Sequence, residues 1–174
     1  MVVNIPPDDP AKQLWLRADK ADLAKFWDIF DAIPVKVGAI AERLGLEVLS
    51  VTLSTDVSGL IRKREDGIYE IQVNNTDAAV RQRFTVCHEI SHYLLHRNLI
   101  DAEGITDNIL YRSKLTSRQE VEANKLGAAM LMPWLKISEW HYENYRTPPH
   151  KENIEQIASA FRASSLAVGF RLGI

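Results

Sequence analysis

The sequence predicts an α+β fold in which a small antiparallel sheet packs against helices. Two segments with alternating apolar residues, 59–64 and 68–74, flank the turn signal Glu65-Asp66-Gly67, which predicts a β-hairpin. Apolar residues recur at helical spacing both before and after this hairpin. Strands therefore come early in the chain with helices on both sides of them, which is typical of an α+β protein.

The residues before the hairpin are expected to form an irregular arm, several helices and one further strand. Residues 1–10 contain three prolines and two aspartates, so we expect a loose or irregular arm. Residues 12–33 have helical periodicity with a break near residues 19–22, and residues 35–44 form a short helix that ends at Gly45. Residues 47–53 alternate as a strand does.

After the hairpin the sequence predicts helices and no further strand, with a polar, irregular segment over residues 97–116. A helix should run from residues 75–77, where a capping side chain precedes an acidic first turn, to about residue 96. A second should run from about residue 117 to 132, where Pro133 ends it. Residues 152–172 indicate two short helices, a helix-turn-helix-like packing element. Its second helix is almost wholly apolar, whereas a DNA-reading helix is polar and basic, so we expect no direct binding of nucleic acid.

Composition indicates an ordinary globular protein. The chain has 174 residues, 46% of them hydrophobic, and a formal net charge of −2, so it has no basic field that would attract nucleic acid. A single cysteine, Cys87, excludes an internal disulfide framework. No signal peptide and no apolar run long enough to cross a membrane are visible. We therefore expect a cytoplasmic protein without a membrane partner.

The segment His88-Glu89-Ile90-Ser91-His92 has the residue types and spacing of a metal-binding site. Residues four apart share one face of a helix, and two imidazoles so placed can bind one Zn²⁺. A glutamate beside the first histidine can act as general base toward the water that attacks a peptide bond, the arrangement of a metallopeptidase. The helical wheel places the histidines at the edge of the apolar stripe and Glu89 toward the open side. The short motif alone also arises by chance in unrelated proteins.

A third ligand should come from the helix over residues 117–132, because catalytic zinc takes three protein ligands. The helical wheel directs Glu120 and Asn124 toward the apolar face and Glu122 outward. We predict Glu120 as the third ligand and Asn124 as a hydrogen-bond partner of a liganding histidine. The small residues 127–129 would allow close packing against the histidine helix. The alternative for Glu120 is an acid favoured by the helix dipole.

Other features leave alternatives open. Tyr93, Tyr111 or His141 could each donate a proton to a tetrahedral intermediate, and the sequence does not choose between them. His96, one turn beyond His92, could approach the cleft, but we interpret it as a structural or helix-end histidine. The hairpin edge could pair with an extended substrate or be an ordinary sheet edge. We expect one Zn²⁺ per chain. Imidazole and carboxylate ligands also accept Mn²⁺, Fe²⁺ or Co²⁺ in place of zinc.

Several blocks together resemble the ImmA/IrrE metallopeptidase family. These blocks, which occur in the family's order between residues 30 and 135, are residues 33–37, 41–45, 58–61, 71–75, 81–96, 120–124 and 131–133. The chain departs from the family pattern at Ser91, where glycine is usual, and at Leu126-Gly127, where an aromatic residue followed by alanine is usual. These departures concern packing and leave the site residues unchanged.

The resemblance implies a gluzincin-like site within a zincin-like catalytic core. His88 and His92 match the histidine ligands, Glu120 matches the acidic ligand and Glu89 matches the catalytic glutamate. Family members are cytoplasmic zinc endopeptidases that cleave a partner helix-turn-helix transcriptional repressor, and so switch on mobile-element, phage or stress genes. The alternatives are a metal-binding regulator that holds a repressor without cutting it and a partner subunit of a toxin–antitoxin pair.

The expected organisation is a single zincin-like domain over residues 1–174. Within it, residues 1–32 form the arm and first helices, residues 33–135 the catalytic core and residues 136–174 a C-terminal helical extension. We expect no separate DNA-binding domain in this chain, so any repressor should be another protein.

Overall fold

The computed structural model describes residues 3–102 and 117–173 of the chain. In chain order the helices are α1 (Lys12–Arg17), α2 (Lys20–Phe26), α3 (Val37–Arg43), α4 (Ala79–Ala102), α5 (Ser117–Leu131), α6 (Trp134–Tyr145), α7 (Ile154–Phe161) and α8 (Ser165–Leu172). The strands are β1 (Glu47–Val51), β2 (Gly59–Lys63) and β3 (Tyr69–Asn74), and short 3-10 turns cover Trp27–Asp31 and Lys151–Asn153. The predicted α+β class is confirmed.

The sheet is mixed, which corrects the antiparallel sheet expected from the sequence. Strands β2 and β3 form the predicted antiparallel hairpin, with Ile61 opposite Ile71. Strand β1 lies on the other side of β3 and runs parallel to it, with Val48 opposite Ile71. Alternation along a strand indicates which side chains are buried, but it does not specify the neighbouring strand. The sequence therefore predicted the hairpin and not the partner of β1.

Helix α4 is the central element of the fold, because it packs against α3, α5, β2 and β3. It begins at Ala79, after a turn organised by the buried Asn74, whose side chain accepts a hydrogen bond from the backbone of Thr76. Helical dihedral angles are interrupted at His96 (φ −131°, ψ 23°), close to the predicted end of the helix, and α4 then continues to Ala102. The core on its two sides includes Ile71, Cys87, Ile90, Leu126 and Met130.

The N-terminal segment packs onto this core. Trp15, Phe26 and Phe30 are buried and form edge-to-face aromatic pairs. Asp9 lies in the irregular arm, yet its carboxylate accepts a hydrogen bond of 2.7 Å from the guanidinium of Arg171 on α8. Both side chains are almost fully buried, at 4% and 1% exposed, respectively. The arm is therefore irregular, as predicted, but it is held firmly rather than loose.

The C-terminal part contains the two predicted short helices, α7 and α8, joined at Arg162, and α8 also packs on α5. The sequence indicated a helical extension over residues 136–174, but it did not predict helix α6 as a separate element. Its buried residues are only Ile137 and His141, so the apolar pattern that signals a helix is weak there. Among the described residues, no helix combines the length and apolar character that crossing a membrane requires.

Candidate metal centre

His88 and His92 lie one turn apart on α4, and both imidazoles are buried, at 9% and 1% exposed. Their Nε2 atoms face each other at 3.0 Å. The rings meet edge to face, with centroids 4.7 Å apart. The helical spacing therefore brings two nitrogen donors to a single point, as the motif predicts.

Glu120 on α5 completes the group. Its Oε2 lies 3.4 Å from Nε2 of His88, and its Oε1 lies 3.5 Å from Nε2 of His92. The neighbouring imidazoles of His88 and His92 hold the pKa of the Glu120 carboxyl well below its ordinary value, although partial burial opposes this shift. The carboxylate is therefore in its anionic, metal-binding form at neutral pH.

The three side chains fit a metal ion. Their ligand atoms all lie within 4.8 Å of one another. With bonds of about 2.0–2.2 Å, two ligands of a tetrahedral zinc site stand roughly 3.3–3.6 Å apart. The separations of 3.0, 3.4 and 3.5 Å are close to that range. Two imidazoles and one carboxylate are a donor set of catalytic zinc, which leaves a coordination position open.

Close packing of α5 on α4 places Glu120 next to the histidines. A Cβ atom built on Gly127 would lie 3.1 Å from the backbone nitrogen of His88 and 3.3 Å from its Cα. Ser91, where the family usually has glycine, is also fully buried, and its hydroxyl donates a 2.7 Å hydrogen bond to the carbonyl of Cys87. Both departures from the family pattern are accommodated by local packing.

Asn124 lies one turn after Glu120, with its Oδ1 2.9 Å from Nδ1 of His88. Since an amide oxygen only accepts, Nδ1 of His88 carries the hydrogen in this contact. The lone pair of Nε2 is then directed toward the other two ligands. The structure thus places Asn124 where the sequence predicted a partner of a liganding histidine.

Glu122 does not point outward as the helical wheel predicted. Its side chain is only 12% exposed, and its Oε2 lies 3.2 Å from Nε2 of His96. Arg17 of α1 and Arg118 of α5 both donate to its other oxygen, at 2.8 and 3.0 Å. The hydrogen bond from Arg17 is the largest influence that lowers the pKa of Glu122, to about 2. The wheel was wrong here because it cannot represent a partner that arrives from a distant helix.

His96 connects Glu122 to the metal cluster, since its Nδ1 lies 3.1 Å from Nδ1 of His92. It is 4% exposed, and burial is the main reason why its pKa is lowered. His96 is therefore a buried partner of a candidate ligand and not simply the end of a helix.

Glu89 is also buried, at 2% exposed, which corrects the prediction that it faces an open side of α4. The helical wheel treats one face of a helix as solvent, whereas α4 is covered by two strands and two helices. A nearby carboxylate shielded from bulk water still suits proton transfer, because the proton is not lost to solvent.

The candidate proton donors lie in different places. Tyr93 is buried against the ring of Tyr69, with Arg97 over its own ring, so its described contacts lie outside the histidine cluster. Both ring nitrogens of His141 are engaged, Nδ1 by the carbonyl of Thr147 and Nε2 by Asn153. Tyr111 lies outside the described residues.

A cleft of about 470 Å³ opens beside the cluster. His88, Glu120 and Asn124 form part of its wall. The remaining lining is mainly apolar and includes residues that the sequence did not single out for the site, namely Ser58, Arg81, Phe84, Thr85, Ser164, Leu166, Ala167 and Phe170. The apolar run 166–170 was the only signal for α8, and it was interpreted as a packing element. Its apolar face also forms one side of the cleft.

Comparisons with known proteins identify the family of the chain and a similar fold. The family model described as the IrrE N-terminal-like domain, Peptidase M78, matches residues 41–173. Among solved structures, the chain is similar to a transcriptional regulator from Mycobacterium tuberculosis, with a TM-score of 0.56 and 14% identity over 87% of this chain and 46% of that one. This likeness concerns the fold, and the chain spans less than half of that regulator's length. No curated protein matches the sequence.

Proposed function

Because the chain belongs to the family of IrrE N-terminal-like peptidase domains, we propose that it is a zinc-dependent endopeptidase whose metal is held by His88, His92 and Glu120. The observation that carries this proposal is the convergence of three ligand atoms within 4.8 Å, on two helices, beside an open cleft. A purely structural zinc site would be closed by a fourth protein ligand, whereas the part of the chain that the structure describes brings three to this point.

Within this proposal each residue has a separate task. The metal, when bound, supplies Lewis acidity toward water and the peptide carbonyl. Glu89 accepts the proton of the attacking water and passes it to the departing amine, which is the task of a general base followed by a general acid. Asn124 holds His88 by its Nδ1 and so keeps Nε2 directed at the metal.

The cleft indicates which peptides would bind. Phe84 and Phe170 are stacked, with ring centroids 6.2 Å apart, and both line the space next to His88. We infer that a large apolar side chain next to the scissile bond fills this space. Strand β2 is an edge of the sheet, and Ser58, just before it, also lines the cleft. An extended substrate could therefore pair with β2 while its side chain enters the cleft.

We propose that the substrate is a helix-turn-helix transcriptional repressor and that its cleavage releases mobile-element, phage or stress genes. This part rests on the family resemblance. Such repressors act in the cytoplasm, so we propose that compartment for the protein as well.

One observation favours a second candidate. Glu89 is only 2% exposed, and it is not among the residues that line the cleft. A regulator that binds metal and holds a repressor without cutting it, alone or as part of a toxin–antitoxin pair, would keep the same three ligands without needing Glu89.

Metal content and cleavage separate these candidates. We expect about one zinc per chain in the native protein, loss of zinc in His92→Ala and Glu120→Ala, and retained zinc in Glu89→Gln. Cleavage of the repressor should stop in all three variants. A native protein that takes up no zinc would overturn the metal site. If Glu89→Gln cleaves as fast as the native protein, the catalytic role of Glu89 is wrong.

A further inference from the structure

A chain of contacts, buried at the two histidines, runs from the candidate metal cluster to the N-terminal helix. Nδ1 of His92 lies 3.1 Å from Nδ1 of His96, and Nε2 of His96 lies 3.2 Å from Oε2 of Glu122. The imidazoles are 1% and 4% exposed. Arg17 of α1 then binds the second oxygen of Glu122 at 2.8 Å. Three helices therefore contribute to one continuous path.

The chemistry at both ends of this path fixes where its hydrogens lie. An ionised carboxylate only accepts, so Nε2 of His96 must donate to Glu122, which leaves Nδ1 of a neutral His96 as an acceptor. At the other end, a histidine that binds metal through Nε2 must carry its hydrogen on Nδ1. His92 then donates to His96, and the two requirements agree.

We propose that His96 and Glu122 are positioning residues that fix the tautomer and ring orientation of His92 for binding metal. The proposal rests on the metal site proposed above. His96 accepts the Nδ1 hydrogen of His92, and Glu122 keeps His96 in the tautomer that can do so. His92 is thereby held with the lone pair of Nε2 directed at His88 and Glu120.

In this arrangement each of the two histidine ligands has an acceptor for its Nδ1 hydrogen. Asn124 accepts from Nδ1 of His88 at 2.9 Å, and His96 occupies the corresponding place for His92 at 3.1 Å. The interruption of helical dihedral angles falls on His96 itself, so the backbone departs from a regular helix at the residue that makes this contact. Arg17 and Arg118 keep Glu122 in place by binding the oxygen that His96 does not use.

The orientation of a ligand controls metal affinity, so the readout is zinc binding and not activity alone. Loss of an outer hydrogen-bond partner typically weakens metal binding by about 10–100-fold. We would measure the zinc dissociation constant by competition with a chelator, and the visible spectrum of the Co²⁺-loaded protein as a report on ligand geometry.

His96→Phe removes the acceptor and keeps a ring, whereas His96→Asn retains an acceptor near the position of Nδ1. We expect zinc binding about 10–100-fold weaker in His96→Phe, with a changed Co²⁺ spectrum, and substantial recovery in His96→Asn. Lys125→Ala, an exposed change on α5, should bind zinc like the native protein. Glu122→Met, which leaves α4 unchanged, should weaken binding in the same direction and tests the path if His96→Phe fails to fold.

Folded His96→Phe or Glu122→Met with native zinc affinity and a native Co²⁺ spectrum would overturn the proposal. Equal weakening in His96→Phe and His96→Asn would also overturn it, since bulk rather than an acceptor would then matter. Both results require a native protein that binds zinc. Failure of the native protein to bind zinc would instead overturn the proposed function.

Discussion

Gly127 on α5 approaches His88 on α4 so closely that a Cβ atom at position 127 would lie 3.1 Å from the backbone nitrogen of His88. Backbone, and not a flexible side chain, forms the obstacle. A Cβ atom here would require the backbone of α4 to move by a few tenths of an ångström, so the absence of a side chain favours the close approach of the two helices and the reach of Glu120 to the histidines.

Gly127→Val should force the two helices apart. We expect it to lower the free energy of unfolding by about 1–3 kcal/mol through overpacking and to weaken zinc binding as Glu120 moves away from the histidines. Urea unfolding and chelator competition measure the two effects. Gly38→Val is the matched control, because Gly38 lies in α3 with open space around it, and its effect should stay within about 0.5 kcal/mol. Equal losses in both variants would contradict the interpretation.

Leu166→Glu should impair cleavage without harming the fold. Leu166 lies on the wall of the cleft and is 69% exposed, so a carboxylate there would meet the apolar side chain of the substrate. We expect kcat/KM for a peptide with a large apolar residue at the scissile bond to fall by about tenfold or more. Leu16→Glu makes the same change at a position on α1 that is 52% exposed, and it should leave kcat/KM unchanged. A native kcat/KM in Leu166→Glu would exclude this wall of the cleft from substrate binding.

Asp22 should make stability depend on acid pH. Burial raises the pKa of its carboxyl, but hydrogen bonds from Lys25 and Arg97 outweigh burial, and the net pKa is lowered. A lowered pKa in the folded state means that the stabilisation is fully present above the unfolded-state pKa of about 3.9 and is lost as the pH falls through the lower folded-state pKa.

Unfolding by urea at pH 6 and at pH 3 tests this dependence. Asp22→Asn should cost about 1–3 kcal/mol at pH 6 and less at pH 3, because pH 3 lies below the unfolded-state pKa of about 3.9 and part of the electrostatic stabilisation is then lost. Asp31→Asn, a change at an exposed carboxylate, is the control. The same loss at both pH values would assign the effect of Asp22 to shape and not to charge.

Arg171→Met should destabilise the protein far more than a comparable change at the surface. It leaves Asp9 buried without its cation and removes the donor to the carbonyl of Met132. We expect a loss of about 3–5 kcal/mol in the free energy of unfolding. Arg43→Met, which removes a cation that is 44% exposed, should cost less than about 1 kcal/mol. The double change with Asp9→Asn should recover part of the loss, and failure to recover any would mean that the pair is not coupled.

Local signals explain which elements the sequence predicts. The hairpin follows from a turn between two alternating segments, and α4 follows from helical periodicity, although it begins at Ala79 and not at the cap predicted in residues 75–77. The parallel pairing of β1 with β3 is not local, because it depends on a strand more than twenty residues further along the chain. Helix α6 was missed for a different reason, since it buries too few apolar side chains to show a period.

Local signals likewise predicted one part of the candidate site, and contacts between distant segments determine the rest. The spacing of His88 and His92 follows from the helix itself, and the same wheel brought Glu120 and Asn124 toward them. It was wrong for Glu122, because the partners of that carboxylate include Arg17, more than one hundred residues earlier. The cleft wall formed by α8 also depends on packing between distant segments.

The contact between Arg17 and Glu122 limits how the matched region could be used as a portable module. A fragment cut to residues 41–173 would retain every candidate metal ligand but would lose Arg17, Asp22 and Asp9. Glu122, Arg97 and Arg171 would then each lack a partner that the longer chain provides. Grafting or truncation should therefore keep the segment before residue 41, because the region matched by the family model does not contain all the partners of its own buried charges.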